Sequence, residues 1–212
     1  PAMATVNVAV VTAPNAGVGS TYTVCSSDGA FSLFSHLTGT PDVGGTWNGP
    51  SGPVPSGTFN PGVSVPGAYT YLVAGSSPCA NATATVTVVV VQAGNAGSNG
   101  AVTLCSTSPN ENLFTHLGGT PNTGGVWTKP GGGVLPGGIY QPTNAADPAG
   151  VYTYTITGTS PCPNVASTVQ VVEHQAPRAG TDGSTIVCST GSAFGLATVL
   201  GGTVDAGGSW IN

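Results

Sequence analysis

The chain contains very few charged residues. Only 4% of its 212 residues are charged, and Lys129 and Arg178 are its only cationic side chains apart from three histidines. A protein that binds nucleic acid needs several Lys or Arg side chains to displace the counterions of the phosphates. This composition therefore excludes a nucleic acid as a partner. Seven scattered carboxylates give a net charge of −5, which is too dilute for an acidic tail.

Long apolar runs are also missing. The longest, around Val86–Val91, has the length of a strand, whereas a helix that crosses a bilayer needs about 18 apolar residues or more. We therefore predict no membrane span in this segment. The chain opens on Pro1 and shows no signal peptide, so we expect the targeting signal to lie in sequence outside it.

Motifs that would indicate catalysis or a cofactor are absent as well. The sequence has no G-x-S-x-G motif and no recurring set of Ser, His and Asp. His36 and His116 are equivalent, but Val199 takes their place in a third copy, which favours a packed residue. We predict no catalytic residue, no cofactor site and no metal site, and hence that the chain is not an enzyme.

What the chain does contain is an internal repeat. Three cysteines recur at spacings of 80 and 83, as do three tryptophans and the Gly pairs that precede them: Cys25, Cys105 and Cys188; Trp47, Trp127 and Trp210; Gly44/Gly45, Gly124/Gly125 and Gly207/Gly208. Self-similarity at a fixed period is the signature of a repeat architecture. We predict full repeats at 13–92 and 93–175. Residues 1–12 match the final strand of a preceding repeat, and 176–212 match the first half of a further one.

Within a repeat, the sequence predicts short strands and one helical turn. Strands are expected at 21–27, 44–49, 67–75 and about 81–90; the third of these alternates Tyr69, Tyr71 and Val73 on one face. Leu33 and Leu37 favour a helical turn, and Ser108–Glu111 resembles a capping box with Pro at the first helical position. Short strands with regular turn signals are typical of a β-sandwich. The fold prediction is all-β, with tandem Ig-like β-sandwich repeats of about 80 residues arranged end to end.

The five cysteines predict disulfides. The reproduced spacing favours pairing within a repeat, Cys25 with Cys79 and Cys105 with Cys162, with the partner of Cys188 beyond the chain end. Free buried thiols and a metal site are the alternatives, although the cysteines form no close pair such as the C-x-x-C of typical zinc ligands. Disulfides would place the protein in an oxidising compartment.

Two other repeated features have alternative interpretations. Asp42, Asn122 and Asp205 share a turn position, where the side chain is expected to bond its own backbone; calcium binding is the alternative. Trp47 and Tyr71 fit core positions of strands, but exposed aromatic side chains could instead stack on sugars.

The order of these motifs resembles a known family. The order is Cys, then NLFxxLGGTP at 112–121, then GGxW, GVYTYTITGTSPC at 150–162 and an ATVTV-like closing strand. It resembles the tandem Ig-like repeats of very large cell-surface proteins of the Bacteroidota, exported by the type IX secretion system and described as gliding-motility-associated or adhesin-like. The resemblance implies an extracellular, surface-anchored filament or stalk without an enzymatic role in the repeats.

The predicted function is therefore a non-enzymatic structural repeat region of an extracellular filament, stalk or adhesin at the cell surface. A carbohydrate-binding array that uses exposed aromatics, with surface glycans as partners, is the alternative. Other copies of the repeat protein are the expected partners in end-to-end or lateral assembly. Lateral assembly is considered because the VTVVVV run at 86–91 would be hazardous as an unpaired strand edge.

Overall fold

The computed structural model describes residues 2–211. They form two compact units, one with the residues up to Gly97 plus 120–125 and 155–166, the other with 98–119, 126–154 and the residues from Ser167 on. Among the described residues the regular structure is β, apart from four short 3-10 helices at Leu33–His36, Leu113–His116, Pro136–Gly138 and Leu196–Val199. The all-β prediction is confirmed.

The first predicted repeat contains seven strands. They are β1 (Thr21–Cys25), β2 (Phe31–Ser32), β3 (Thr46–Gly49), β4 (Gly52–Pro53), β5 (Thr58–Phe59), β6 (Gly67–Val73) and β7 (Ala82–Val91). One sheet has the order β1-β7-β6-β3-β4, and β2 pairs with β5 in a second sheet. β1 runs parallel to β7, and the other pairs are antiparallel. The order β7-β6-β3-β4 is that of strands G, F, C and C′ of an Ig-like sandwich.

The second predicted repeat reproduces this pattern. Its strands are β8 (Gly100–Cys105), β9 (Glu111–Asn112), β10 (Val126–Thr128), β11 (Ile139–Tyr140), β12 (Gly150–Ile156) and β13 (Val165–His174). The sheet order is β10-β12-β13-β8, with β9 and β11 paired separately, and β8 is parallel to β13. The two stretches therefore have the same strand order.

The remaining strands are β14 (Ala179–Thr181) and β15 (Gly201–Val204), which pair with each other. Trp210 of this last stretch is 59% exposed, whereas the equivalent Trp47 and Trp127 are buried.

Aromatic side chains build the core of the first repeat. Tyr69, Tyr71 and Val73 alternate on the buried face of β6, as predicted, and Phe59 of the second sheet meets Tyr69 edge to face at 5.5 Å between ring centroids. This contact joins the two sheets. Fully burying a large apolar side chain contributes about 1.5–3 kcal/mol, so this face accounts for much of the stability of the repeat.

The predicted helical turn forms, but it begins later than the capping box suggested. Asn112 caps the second turn, because its side chain accepts a hydrogen bond from the backbone N–H of Phe114. Ser108 instead accepts from the N–H of Cys105. Glu111 and Asn112 pair with β11, and this strand pairing prevents the helix from starting at Pro109.

The VTVVVV run at 86–91 is paired on both of its edges within the chain. β7 pairs with β6 from Ala82 to Val88 and with β1 from Thr87 to Val91. The sequence argument missed β1 as a neighbour because a parallel pairing between distant strands leaves no local turn signal. The edge therefore gives no support to lateral assembly.

Residues 2–12, which the sequence matches to the final strand of a preceding repeat, have no regular structure, and Pro1 lies outside the described residues. β7, the equivalent strand, is held by ladders to β6 and β1. Residues 2–12 have no such pairing in the described part of the chain.

Candidate functional site: the repeated cysteine–serine junction

The structure pairs the cysteines differently from the sequence prediction. Cys25 of the first repeat forms a disulfide with Cys162 of the second, with 4.9 Å between their Cα atoms. Within the described chain, Cys79, Cys105 and Cys188 are not in a disulfide. The intra-repeat pairs Cys25–Cys79 and Cys105–Cys162 are therefore wrong. Equal spacing along the chain equally fits a bridge within one repeat and a bridge to the next repeat, and only the folded geometry separates the two.

The segment after β7 is held beside this bridge. Ser26 donates its backbone N–H to the carbonyl of Val91 at 2.8 Å, and its hydroxyl accepts the N–H of Ala93 at 2.9 Å. The sulfur of Cys162 lies 3.3 Å from the same Val91 carbonyl oxygen. We call Cys25, Ser26, Val91, Ala93 and Cys162 the junction site.

The backbone part of the junction site recurs one repeat later. Ser106 donates its N–H to His174 O at 2.8 Å, and its hydroxyl accepts the N–H of Ala176 at 2.9 Å. Sequence reasoning missed the serine. The sequence did contain a signal for this serine, because Ser directly follows the first cysteine of each copy of the repeat, which we call the early cysteine. These serines are Ser26, Ser106 and Ser189.

A hydroxyl two positions after each early cysteine contacts its sulfur. Ser27, Thr107 and Thr190 place their oxygens 3.2–3.3 Å from the sulfurs of Cys25, Cys105 and Cys188. These hydrogen bonds lower the pKa of the Cys105 and Cys188 thiols, since a hydroxyl that donates to sulfur favours the thiolate. The repeat therefore supplies the early cysteine with its own activating group.

The repeated Asx residues form a clamp rather than a local turn. Asp42 Oδ2 accepts the N–H of Asn15 at 2.8 Å, and the N–H of Asp42 donates back to Asn15 O at 2.7 Å. The same exchange joins Asn95 with Asn122 and Arg178 with Asp205. The partners are 27 residues apart, so the prediction of a bond to the local backbone is wrong. The clamp ties the start of each copy of the repeat to the loop that precedes its Trp.

The histidines and acids are dispersed. His36 is half-buried and stacks on Tyr22 at 3.9 Å between centroids, and burial lowers its pKa. His116 bonds Glu111 at 2.8 Å. Among residues 2–211 no group of three or more His, Cys, Asp or Glu side chains is placed to hold a metal ion.

The aromatic side chains proposed to stack on sugars are buried in both full repeats. Trp47 and Trp127 are 7% and 4% exposed, and each packs against a buried tyrosine, Tyr71 or Tyr154. The Tyr71 hydroxyl also donates to Asp42 O and accepts from Gly45 N–H, both at 2.8 Å. These side chains are structural, so the alternative of a carbohydrate-binding array lacks its proposed binding surface.

Taken together, the strands and the site define a chain of tandem Ig-like β-sandwich repeats. No protein-family model matches the chain, and no curated protein matches it. Its fold is similar to solved tandem Ig structures: an I-band fragment of titin (14% identity, 74% of this chain and 64% of that chain covered, TM-score 0.45), extracellular domains 3–5 of Drosophila OTK (13%, 82% and 68%, 0.30) and immunoglobulin domains 1–4 of Sidekick-1 (14%, 82% and 56%, 0.27). The chain thus spans 64% of the length of the titin fragment.

Of the helices in the described part of the chain, none has the length and apolar character needed to span a bilayer.

Proposed function

We propose that the chain is a load-bearing structural repeat region of an extracellular filament, stalk or adhesin at the cell surface, without an enzymatic role. The observation that carries this proposal is the Cys25–Cys162 disulfide, which joins two consecutive repeats across 137 residues of sequence. A disulfide persists in an oxidising compartment, outside the reducing cytosol. The resemblance to type IX secreted repeat proteins of the Bacteroidota supports the same location.

The bridge determines which residues bear a pulling force. If the two chain ends are pulled apart, tension passes from Cys25 through the sulfur–sulfur bond to Cys162. Residues 26–161, which contain most of both sandwiches, lie off this path. A force that unfolds these strands therefore cannot extend them while the bridge is intact. A covalent link of this kind suits a spacer that must keep its length, and a binding or catalytic pocket would not require it.

The surface chemistry is consistent with a passive spacer. With 4% charged residues and buried aromatics, the two full repeats offer little for a specific charged or sugar ligand. End-to-end continuation through further copies of the repeat is the assembly that this architecture favours.

Single-molecule stretching of the chain, tethered at its two ends, tests the load-bearing role. A fully extended residue spans about 3.3–3.6 Å, so reduction should lengthen the unfolded chain by about 450–490 Å for the 137 residues between the cysteines. The Cys25→Ser variant should show the long form without reductant. Equal lengths before and after reduction would overturn the load-bearing role, and immunolabelling of intact native cells tests the surface location separately.

A further inference from the structure

The two bridged cysteines have unbridged equivalents in the same chain. Cys105 follows Cys25 by one repeat period and sits at the same point, the last residue of a strand parallel to a closing strand. Cys79 precedes Cys162 by one repeat period and lies in the same loop of the preceding hairpin. Each half of the bridge therefore occurs again without its partner: the first half at Cys105 and Cys188, and the second half at Cys79.

The surroundings of the unbridged cysteines match those of the bridged ones. Cys79 Sγ lies 3.5 Å from Val11 O, as Cys162 Sγ lies 3.3 Å from Val91 O. Val11 and Val91 are one repeat period apart and therefore equivalent. The loop with Cys79 is thus already seated against a copy of the segment that, one repeat later, leads to a bridge.

The other half-site is formed to a similar degree. The serine after Cys105 binds the segment following β13 as Ser26 binds the segment following β7. The bridged and unbridged cysteines differ in how deeply they are buried. Cys25 and Cys162 are 0% and 6% exposed, while Cys79 and Cys105 are half-buried and Cys188 is exposed. The partner cysteine and its loop would bury the part of each unbridged cysteine that is exposed.

We propose that the junction site couples repeats in a fixed register, in which the first cysteine of each repeat bridges the second cysteine of the repeat that follows. Cys79, Cys105 and Cys188 are half-sites of this bridge, and their partner is a further copy of the same repeat. This proposal extends the load-bearing role but concerns only the pairing rule, which holds or fails wherever the protein resides.

The rule has a mechanical consequence. Cys105 lies inside the loop closed by Cys25 and Cys162, so a bridge from Cys105 to a following repeat would make successive loops overlap. From Cys162 the loaded path would continue along the short stretch of chain to Cys188 and then cross the next bridge. No repeat could be extended alone without breaking a sulfur–sulfur bond.

The chemistry balances with a small disulfide such as oxidised glutathione as the electron acceptor. The Cys105 thiolate attacks one sulfur of the small disulfide. This step forms a mixed disulfide between Cys105 and one half of the small molecule and releases the other half as a thiolate. The thiolate of the second cysteine on the following repeat then attacks the Cys105 sulfur and releases the second. Two protein thiols are oxidised to one disulfide, and one small disulfide is reduced to two thiols. The hydroxyl of Thr107, which lowers the Cys105 pKa, favours the first step.

The test uses the full chain with one additional copy of residues 93–175 inserted after Gln175. This extended chain has 5 + 2 = 7 cysteines. It is refolded in a glutathione redox buffer, and its thiols are counted after denaturation. The bridges are then mapped by peptic digestion and mass spectrometry without reduction. Pairing to the following repeat predicts Cys25–Cys162 plus Cys105 joined to the inserted copy of Cys162, which leaves 7 − 4 = 3 thiols.

Other outcomes overturn the rule. Five thiols would mean that only Cys25 and Cys162 pair, and one thiol with three intra-repeat bridges would mean that the register is wrong. The Cys105→Ser variant of the extended chain should contain only the Cys25–Cys162 bridge, with 6 − 2 = 4 thiols. Its retained Cys25–Cys162 bridge shows that the variant still folds. Surface labelling of native cells does not enter this test, so failure of the rule is distinguishable from failure of the proposed location.

Discussion

Cys25 and Cys162 lie 137 residues apart in sequence, yet their Cα atoms are 4.9 Å apart. The bridge closes a loop that contains Cys79 and Cys105, the two cysteines that intra-repeat pairing would have used. In a chain-entropy model, closing a loop of this length stabilises the folded state by about 5 kcal/mol. This pairing therefore affects both the stability and the covalent topology of the chain.

Thiol counting distinguishes the two pairings directly. With the Cys25–Cys162 bridge, the denatured chain should show 5 − 2 = 3 thiols, whereas intra-repeat pairing would leave 5 − 4 = 1. The double variant Cys79→Ser/Cys105→Ser should retain the bridge and show one thiol, that of Cys188. Three thiols in this variant would contradict the pairing seen in the structure.

Removal of the bridge should destabilise the first unit. We expect Cys162→Ser to lower the free energy of unfolding by about 3–5 kcal/mol, measured by urea denaturation. Cys79→Ser is the matched control, because it makes the same change at the equivalent position outside a bridge. It should alter stability by less than about 0.5 kcal/mol, and equal losses in the two variants would rule out the disulfide as the cause.

The three equivalent tryptophans should respond differently to truncation. Trp47→Ala removes a side chain that is 7% exposed and packs on Tyr71, so we expect a loss of about 3–5 kcal/mol. Trp210 is 59% exposed, and Trp210→Ala should cost less than about 0.5 kcal/mol. Thermal unfolding of both variants checks this, and a stable Trp47→Ala protein would restore the possibility of a sugar-stacking surface.

The Asx clamp should depend on hydrogen bonding and not on charge. Asp42→Ala leaves the N–H of Asn15 without its side-chain acceptor and should cost about 1 kcal/mol. Asp42→Asn should retain most of the stability, because Asn122 makes the equivalent bond at 2.7 Å. If Asp42→Asn were as unstable as Asp42→Ala, charge would be the essential property.

The second repeat should lose stability in alkali. Burial is the main cause that raises the pKa of Tyr152 to about 12, and the charges of Asp147 and Glu173 add to it. Burial and a 2.5 Å hydrogen bond to Glu173 raise the pKa of Tyr140 as well. An unfolded tyrosine ionises near pH 10, so above pH 10 the unfolded state binds fewer protons than the folded state. The stabilisation that these two tyrosines provide is therefore complete below pH 10 and is lost as the pH rises above it. The free energy of unfolding should fall by up to about 1.4 kcal/mol per pH unit for each tyrosine, until the pH reaches the folded pKa of that tyrosine.

Denaturation series between pH 9 and pH 12 measure this dependence. Tyr140→Phe should remove about half of the slope, because the hydroxyl that resists ionisation is gone. An unchanged slope in this variant would show that other groups cause the alkaline loss.

The sequence alone determined the period of the repeat, the all-β class and the buried face of β6. Each of these follows from local or periodic information. Alternation of Tyr69, Tyr71 and Val73 indicates one buried face of a strand at any position in a fold, and recurring Gly-Gly-x-Trp motifs indicate copies of one unit.

Only the tertiary structure decided which partners these elements take. The pairing of Cys25 with Cys162, the parallel contact of β1 with β7 and the bond between Asn15 and Asp42 all join residues distant in sequence. In a repeated sequence, a residue and its copy present the same chemistry to every potential partner. Spacing therefore cannot tell a contact within a repeat from a contact with the next one, and the distances set by folding make that choice.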